Sequence, residues 1–108
     1  MENKNKKIWL ANDARQHLLK RAEEAYGKEL EAIYDYINKM IDYAIQDYKY
    51  EVTVSLEDIS KKFNCFNDKT LQLTLYYLIE RKFLSRHFKV SCSYYNINPK
   101  SLFVHIKW

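Results

Sequence analysis

Glycine and proline are almost missing from this chain, with only Gly27 and Pro99 in 108 residues. A sequence so poor in turn-formers has little room for long irregular loops, and a single glycine excludes a Gly-rich loop that cradles phosphates. Cysteine is limited to Cys65 and Cys92, which form no CxxC pair. Both are expected to stay reduced in a cytoplasmic protein. No apolar run is long enough to serve as a secretion signal or a membrane span. Histidine is scattered as His17, His87 and His105, and no Asp or Glu between residues 81 and 108 could orient the last two. Zinc ligands come in closely spaced Cys or His pairs, and acid–base chemistry needs a positioned partner. The chain therefore reads as non-enzymatic, with no metal and no cofactor.

What is present is a globular composition, 47% hydrophobic and 30% charged, with 10 tyrosines. At this length a single domain buries roughly 65% of its unfolded surface, enough for one modest core. Tyrosine offers a broad apolar body with a polar tip, suited to core edges and contact surfaces. The net charge of +4 is unevenly spread. Residues 13–51 carry nine acids against six bases, whereas residues 52–108 carry four acids against nine bases. The C-terminal half is thus the basic half, as expected of a surface that meets an anionic partner.

Periodicity divides the chain into elements. Residues 1–12 read as a flexible or partly ordered N-terminus, and residues 13–108 as one domain. Asn12 is a candidate N-cap, and Leu18, Leu19, Ala22 and Ala25 form a narrow stripe that Gly27 interrupts with a bend or a break. From Lys28 to about Lys49, the steps Tyr26, Leu30, Ile33, Ile37, Met40 or Ile41, Ala44 and Tyr48 predict one long amphipathic helix. Residues 51–55 alternate as a short strand. Residues 55–83 then predict two helices joined by a turn. Ser55 and Asp68 are the caps, Leu56, Ile59 and Phe63 the first apolar face, and Leu71, Leu75 and Leu78 the second. From Leu84 the period becomes two: Leu84, Arg86, Phe88, Val90, Cys92 and Tyr94 on one face, and Ser85, His87, Lys89, Ser91, Ser93 and Tyr95 on the other. A turn over residues 96–101 leads to Leu102, Val104, Ile106 and Trp108, which alternate inward and close a hairpin. Cys92 falls on the apolar parity and is expected in the core, with Cys65 packed beneath the turn.

The stretch SLEDISKKFN…TLQLTLYYLIERKFL, with a strand before it and a hairpin after it, resembles the winged helix-turn-helix superfamily over residues 28–108. A more diffuse likeness is to small bacteriophage proteins with a long helix and a C-terminal hairpin ending in Trp. The turn NCFND departs from the family pattern by about one residue and lacks a glycine, and Ser60 stands where the family favours Ala. The resemblance implies an α+β, winged-helix-like αβααββ fold, here with an extra N-terminal helix. It also implies a DNA-binding or transcription or replication accessory role, in the cytoplasm, or the host cytoplasm if the gene is a phage's. Duplex DNA would then meet Asn67, Lys69, Thr70 and Gln72 at base edges or phosphates, and Lys61, Lys62, Arg86, Lys89 and Lys100 at phosphates. The alternative is a host or viral protein partner. An apolar helix face with Leu73, Tyr76 and Tyr77, together with Trp9, fits a protein contact better than a phosphate. The N-terminal stripe is too narrow to bury alone, and a homodimer through those helices is a further expectation.

Overall fold

The computed structural model describes residues 8–95 and 101–108. Among these residues the chain runs α1 (Ala11–Ala25), α2 (Gly27–Gln46), β1 (Glu51–Ser55), α3 (Leu56–Phe63), α4 (Lys69–Leu84), β2 (Lys89–Tyr95) and β3 (Ser101–Lys107). The strands form one antiparallel sheet in the order β1-β3-β2. This is a mixed α+β, winged-helix-like arrangement, α2-β1-α3-α4-β2-β3, with α1 added in front. The expected fraying of residues 1–7 and the turn at residues 96–100, Lys100 included, lie outside the described residues.

Each element follows from its pattern. In α2, Leu30, Ile33, Ile37, Ile41 and Ala44 are buried at steps of three and four, which places one stripe of the helix against the core. Among the described residues Val54, Leu102, Val104 and Ile106 are the buried ones of the sheet, and the register aligns Val54 with Val104 and Val52 with Ile106. The Ser55 hydroxyl accepts the Asp58 N–H at 3.3 Å and opens α3. A carboxylate oxygen of Asp68 accepts the Leu71 N–H at 2.7 Å and opens α4. Both caps satisfy an orphan donor of a first helical turn.

With so little glycine, α2, α3 and α4 end on left-handed residues that carry side chains: Tyr48 (φ 59°), Asn64 (φ 52°) and His87 (φ 71°). After α4, the His87 N–H bonds the Leu84 carbonyl and the Phe88 N–H the Phe83 carbonyl. The rings of Phe83 and Phe88 meet edge-on, 5.6 Å between centroids. These two bonds and the hydrophobic contact make a Schellman termination. After α2, Tyr48 N–H to Ile45 and Lys49 N–H to Ala44 repeat the pattern. The α3–α4 turn adds Phe66, also left-handed (φ 56°) and 1% exposed, against the Tyr26 ring at 4.6 Å. The buried Ser60 hydroxyl donates to the Phe66 carbonyl (2.6 Å) and lies 2.9 Å from that of Leu56. The extra residue and missing glycine of this turn are accommodated by Asn64, Phe66 and Ser60 together.

Four local expectations are corrected. The helix α1 begins at Ala11, because the Ala14 N–H bonds the Leu10 carbonyl, so Asn12 is not its cap. Its buried residues are Leu19 and Ala22, whereas Leu18 and Ala25 of the expected stripe are exposed. Residues 85–88 form the turn after α4, so β2 begins at Lys89 and His87 is a helix terminator, not a strand residue. Cys92 has the expected parity, paired with Val104, but is exposed, on one of the two edge strands of the sheet; Cys65 is buried. At Gly27 the helices break. Tyr26, just before it, leaves the helical region (φ −123°, ψ 26°).

Candidate nucleic-acid and protein contact surfaces

The helix α4 is the centre of the molecule. Leu75, Leu78, Ile79 and Phe83 are buried, and so are Gln72, Thr74 and Tyr76, more than one stripe can supply. One flank is covered by α1. The Arg15 guanidinium lies 4.9 Å over the Tyr77 ring, and Arg81 donates to Gln16 (3.0 Å) and pairs with Glu23 (2.6 Å). A helix enclosed on several sides presents few residues to a partner.

Its first turn remains open. Asn67, Lys69 and Thr70 are exposed around the Asp68 cap. Gln72 is only 9% exposed, which removes it from the expected set of base-reading residues. It shares its row with Tyr76, Ile79 and Phe83 at steps of four, three and four, all buried. Tyr76 is likewise corrected. At 7% exposure it is part of the core, and its hydroxyl donates to Glu80 Oε2 at 2.8 Å. Burial first, then the bond and charge of Glu80, hold its phenol well above the usual range, with Cys92 also at hand. Tyr77 is half-buried, and Leu73 stays outward at 39%. The outward row of α4 thus carries Lys69, Leu73, Glu80 and Leu84, one base and one acid with two leucines.

The expected phosphate contacts divide into two groups. Lys61 and Lys62 lie at the end of α3, one turn from Asn67, Lys69 and Thr70. Lys61 is paired with Glu57 at 3.3 Å, and the Lys62 ammonium sits 5.3 Å over the Tyr36 ring. Arg86 and Lys89 lie past the other end of α4. A helix of 16 residues puts about 24 Å between these groups at 1.5 Å per residue.

Exposed apolar side chains gather at two places, around the end of α2 (Tyr43, Ile45, Tyr48 and Tyr50) and at the N-terminal end. Ile8 (92%), Leu10 (70%), Leu18 (53%) and Trp9 (51%) are exposed, with Trp9 edge-on to His17 at 4.8 Å. Where α1, α2 and α4 meet is a cleft of about 370 Å³ lined by Glu23, Tyr34, Arg81 and Lys82 among others. Burial, then Glu23, pushes the Tyr34 phenol up to about 12. The charges in this cleft largely answer one another. Among the described residues no group of three His, Cys, Asp or Glu side chains could hold a metal ion, and no helix is long and apolar enough to cross a membrane.

Sequence reasoning missed the outward face of the sheet. There His105 is held at both ring nitrogens, by Thr53 Oγ1 at Nδ1 (3.0 Å) and Ser93 Oγ at Nε2 (2.7 Å). The alternation had put His105 and Ser93 on outward parity, but only the β1-β3-β2 order brings Thr53 to the same ring. No protein-family model matches this chain, and no curated protein or solved structure matches it.

Proposed function

We propose that this chain is a non-enzymatic, winged-helix-type module that binds duplex DNA in a transcription or replication accessory role, in the cytoplasm of a bacterium or of a phage's host. The observation that carries the reading is the open first turn of α4. Asn67, Lys69 and Thr70 stand in solvent on a helix otherwise held rigid by its buried neighbours, with Lys61 and Lys62 close by in the chain. In such modules the start of this helix enters the major groove, and basic residues around it meet phosphates. Duplex binding measured across a salt series tests it: affinity should fall steeply as salt rises, and Lys69→Ala should flatten the slope by about one. Absence of duplex binding at low salt sinks the reading.

A second reading has its own observation, the exposed Ile8, Trp9, Leu10 and Leu18. Apolar exposure of this kind fits a protein contact, either a second copy of the chain through α1 or a host or viral protein, with Leu73 and Tyr77 as further candidate contacts. Sedimentation separates these. A dimer that Leu18→Glu dissociates supports self-association through α1, and a monomer at all concentrations removes it.

A further inference from the structure

The outward face of the sheet is built differently from an ordinary solvated face. Lys89 and Lys107 are direct cross-strand partners, and both are exposed. Like charges facing each other this way destabilise a strand pair. On the far side of Lys107 stands Glu51, the one acid among the described outward positions. The next row is Thr53, His105 and Ser91, with Ser93 reaching His105 diagonally.

This row has the outline of a nucleophile and base, Ser93 against His105. However, Thr53 stands where an orienting acid would be needed, and a flat strand face offers no enclosure. What the row does supply is hydrogen bonding held in place. Each hydroxyl has one donor and two acceptor sites, so Thr53 and Ser93 keep capacity for solvent or a ligand beyond their bonds to the ring. Rows on the same face repeat about every 6.8 Å, and neighbouring strands about every 4.8 Å. Lysine charge beside fixed hydroxyl donors is the set that meets phosphate oxygens in nucleic-acid complexes. A protein interface would want an apolar centre, and a membrane surface an apolar face to insert. The outward residues described here are otherwise polar, with the half-buried Phe103 the exception.

We propose that this face is a second contact surface for the phosphodiester backbone of nucleic acid, separate from the start of α4. Lys89 and Lys107 supply the charge, and Thr53, Ser91 and Ser93 the hydrogen bonds. The inference rests on the nucleic-acid reading above and adds a second footprint to it. Both lysines are exposed, so their truncation leaves the core untouched.

The test is fluorescence anisotropy of a labelled duplex and of one of its strands alone, over a salt series. It uses wild type, a Lys89→Ala/Lys107→Ala double variant and an Asn67→Ala/Lys69→Ala double variant. The sheet variant should lower the salt slope by roughly 2, one for each phosphate no longer neutralised, and weaken binding to the duplex, the single strand or both. Whichever probe is weakened more identifies the strand state that the face receives. If the sheet variant binds both probes like wild type while the α4 variant loses binding, this proposal fails and the proposed function stands. If wild type binds neither probe at low salt, both fail. Lysine-dependent binding to phosphatidylserine vesicles without binding to either oligonucleotide also overturns the proposal.

Discussion

The helices α1 and α4 are nearly equal in length, 15 and 16 residues, but α4 buries seven residues where α1 buries two. The difference separates a helix that makes the fold from one applied to it. The packing of α4 is continuous with α2, α3 and the sheet through a single core cluster, to which α1 adds only Leu19 and Ala22. The hold on α1 is Leu19 and Ala22, reinforced by Arg81 and by the stacking of Arg15 on Tyr77. Exposed or half-exposed polar links add little each. The contrast is sharpest under truncation. Leu75→Ala should lower global stability by about 2–5 kcal/mol, read from the urea midpoint. Leu19→Ala should instead release α1, with its amides exchanging early while those of α4 stay protected. Equal loss of protection in both helices would mean that α1 is integral to the fold.

The next largest effect tests what fixes the start of α4. The Ser60 hydroxyl holds the Phe66 carbonyl at 2.6 Å inside the buried turn. Removing it leaves an acceptor without its partner, so Ser60→Ala should cost about 1–3 kcal/mol. Alanine is the residue that the resembled family favours at this position. A neutral outcome would show that the turn is held by Phe66 packing alone.

This turn also shows what could be read from the sequence. The caps Ser55 and Asp68, the α2 stripe and the strand alternation were legible because each is local and periodic. The termination at His87 was not, because two-residue parity continues without interruption from Leu84 into the true strand. Nor was the burial of Gln72 and Tyr76. Periodicity assigns one buried face to a helix, whereas α4 has the sheet and α1 on further sides. Of the candidate surface, the exposure of Asn67, Lys69 and Thr70 follows from their place after the turn. The His105 cluster was missed because it joins three strands distant in sequence.

A third test reads the seam between the two helices from the alkaline side. Tyr34 lines the cleft beside Glu23 of α1, and its phenol is raised to about 12. With the folded value above the unfolded one, this contribution is intact below pH 10 and lost as pH climbs from 10 to about 12. Tyr34→Phe should make the alkaline loss of stability shallower. Phenolate absorbance should show wild type with phenols that titrate late, one fewer in the variant. Glu23→Gln should move Tyr34 part of the way back. If it does not, burial and Glu31 of α2 set the shift and α1 contributes no charge to the seam.

The smallest effects concern how the helices begin and end. His87 closes α4 with φ at 71°, a conformation that side chains disfavour and glycine adopts freely. His87→Gly should therefore stabilise by about 0.5–1 kcal/mol, less the entropy that glycine adds to the unfolded chain. The junction of α1 and α2 is the reverse case. Gly27 has no positive φ, and a Cβ there would meet nothing within 4 Å. Gly27→Ala should gain about 0.4–1 kcal/mol through the unfolded state. The Gly27 substitution also bears on the comparison of the helices, because Gly27 lines the cleft between α1 and α4. A gain in the urea midpoint with unchanged exchange in α1 would show that the break rests on Tyr26 alone. A gain accompanied by slower exchange throughout α1 would mean that the glycine had been loosening the applied helix, and that its weak attachment is partly a property of the hinge.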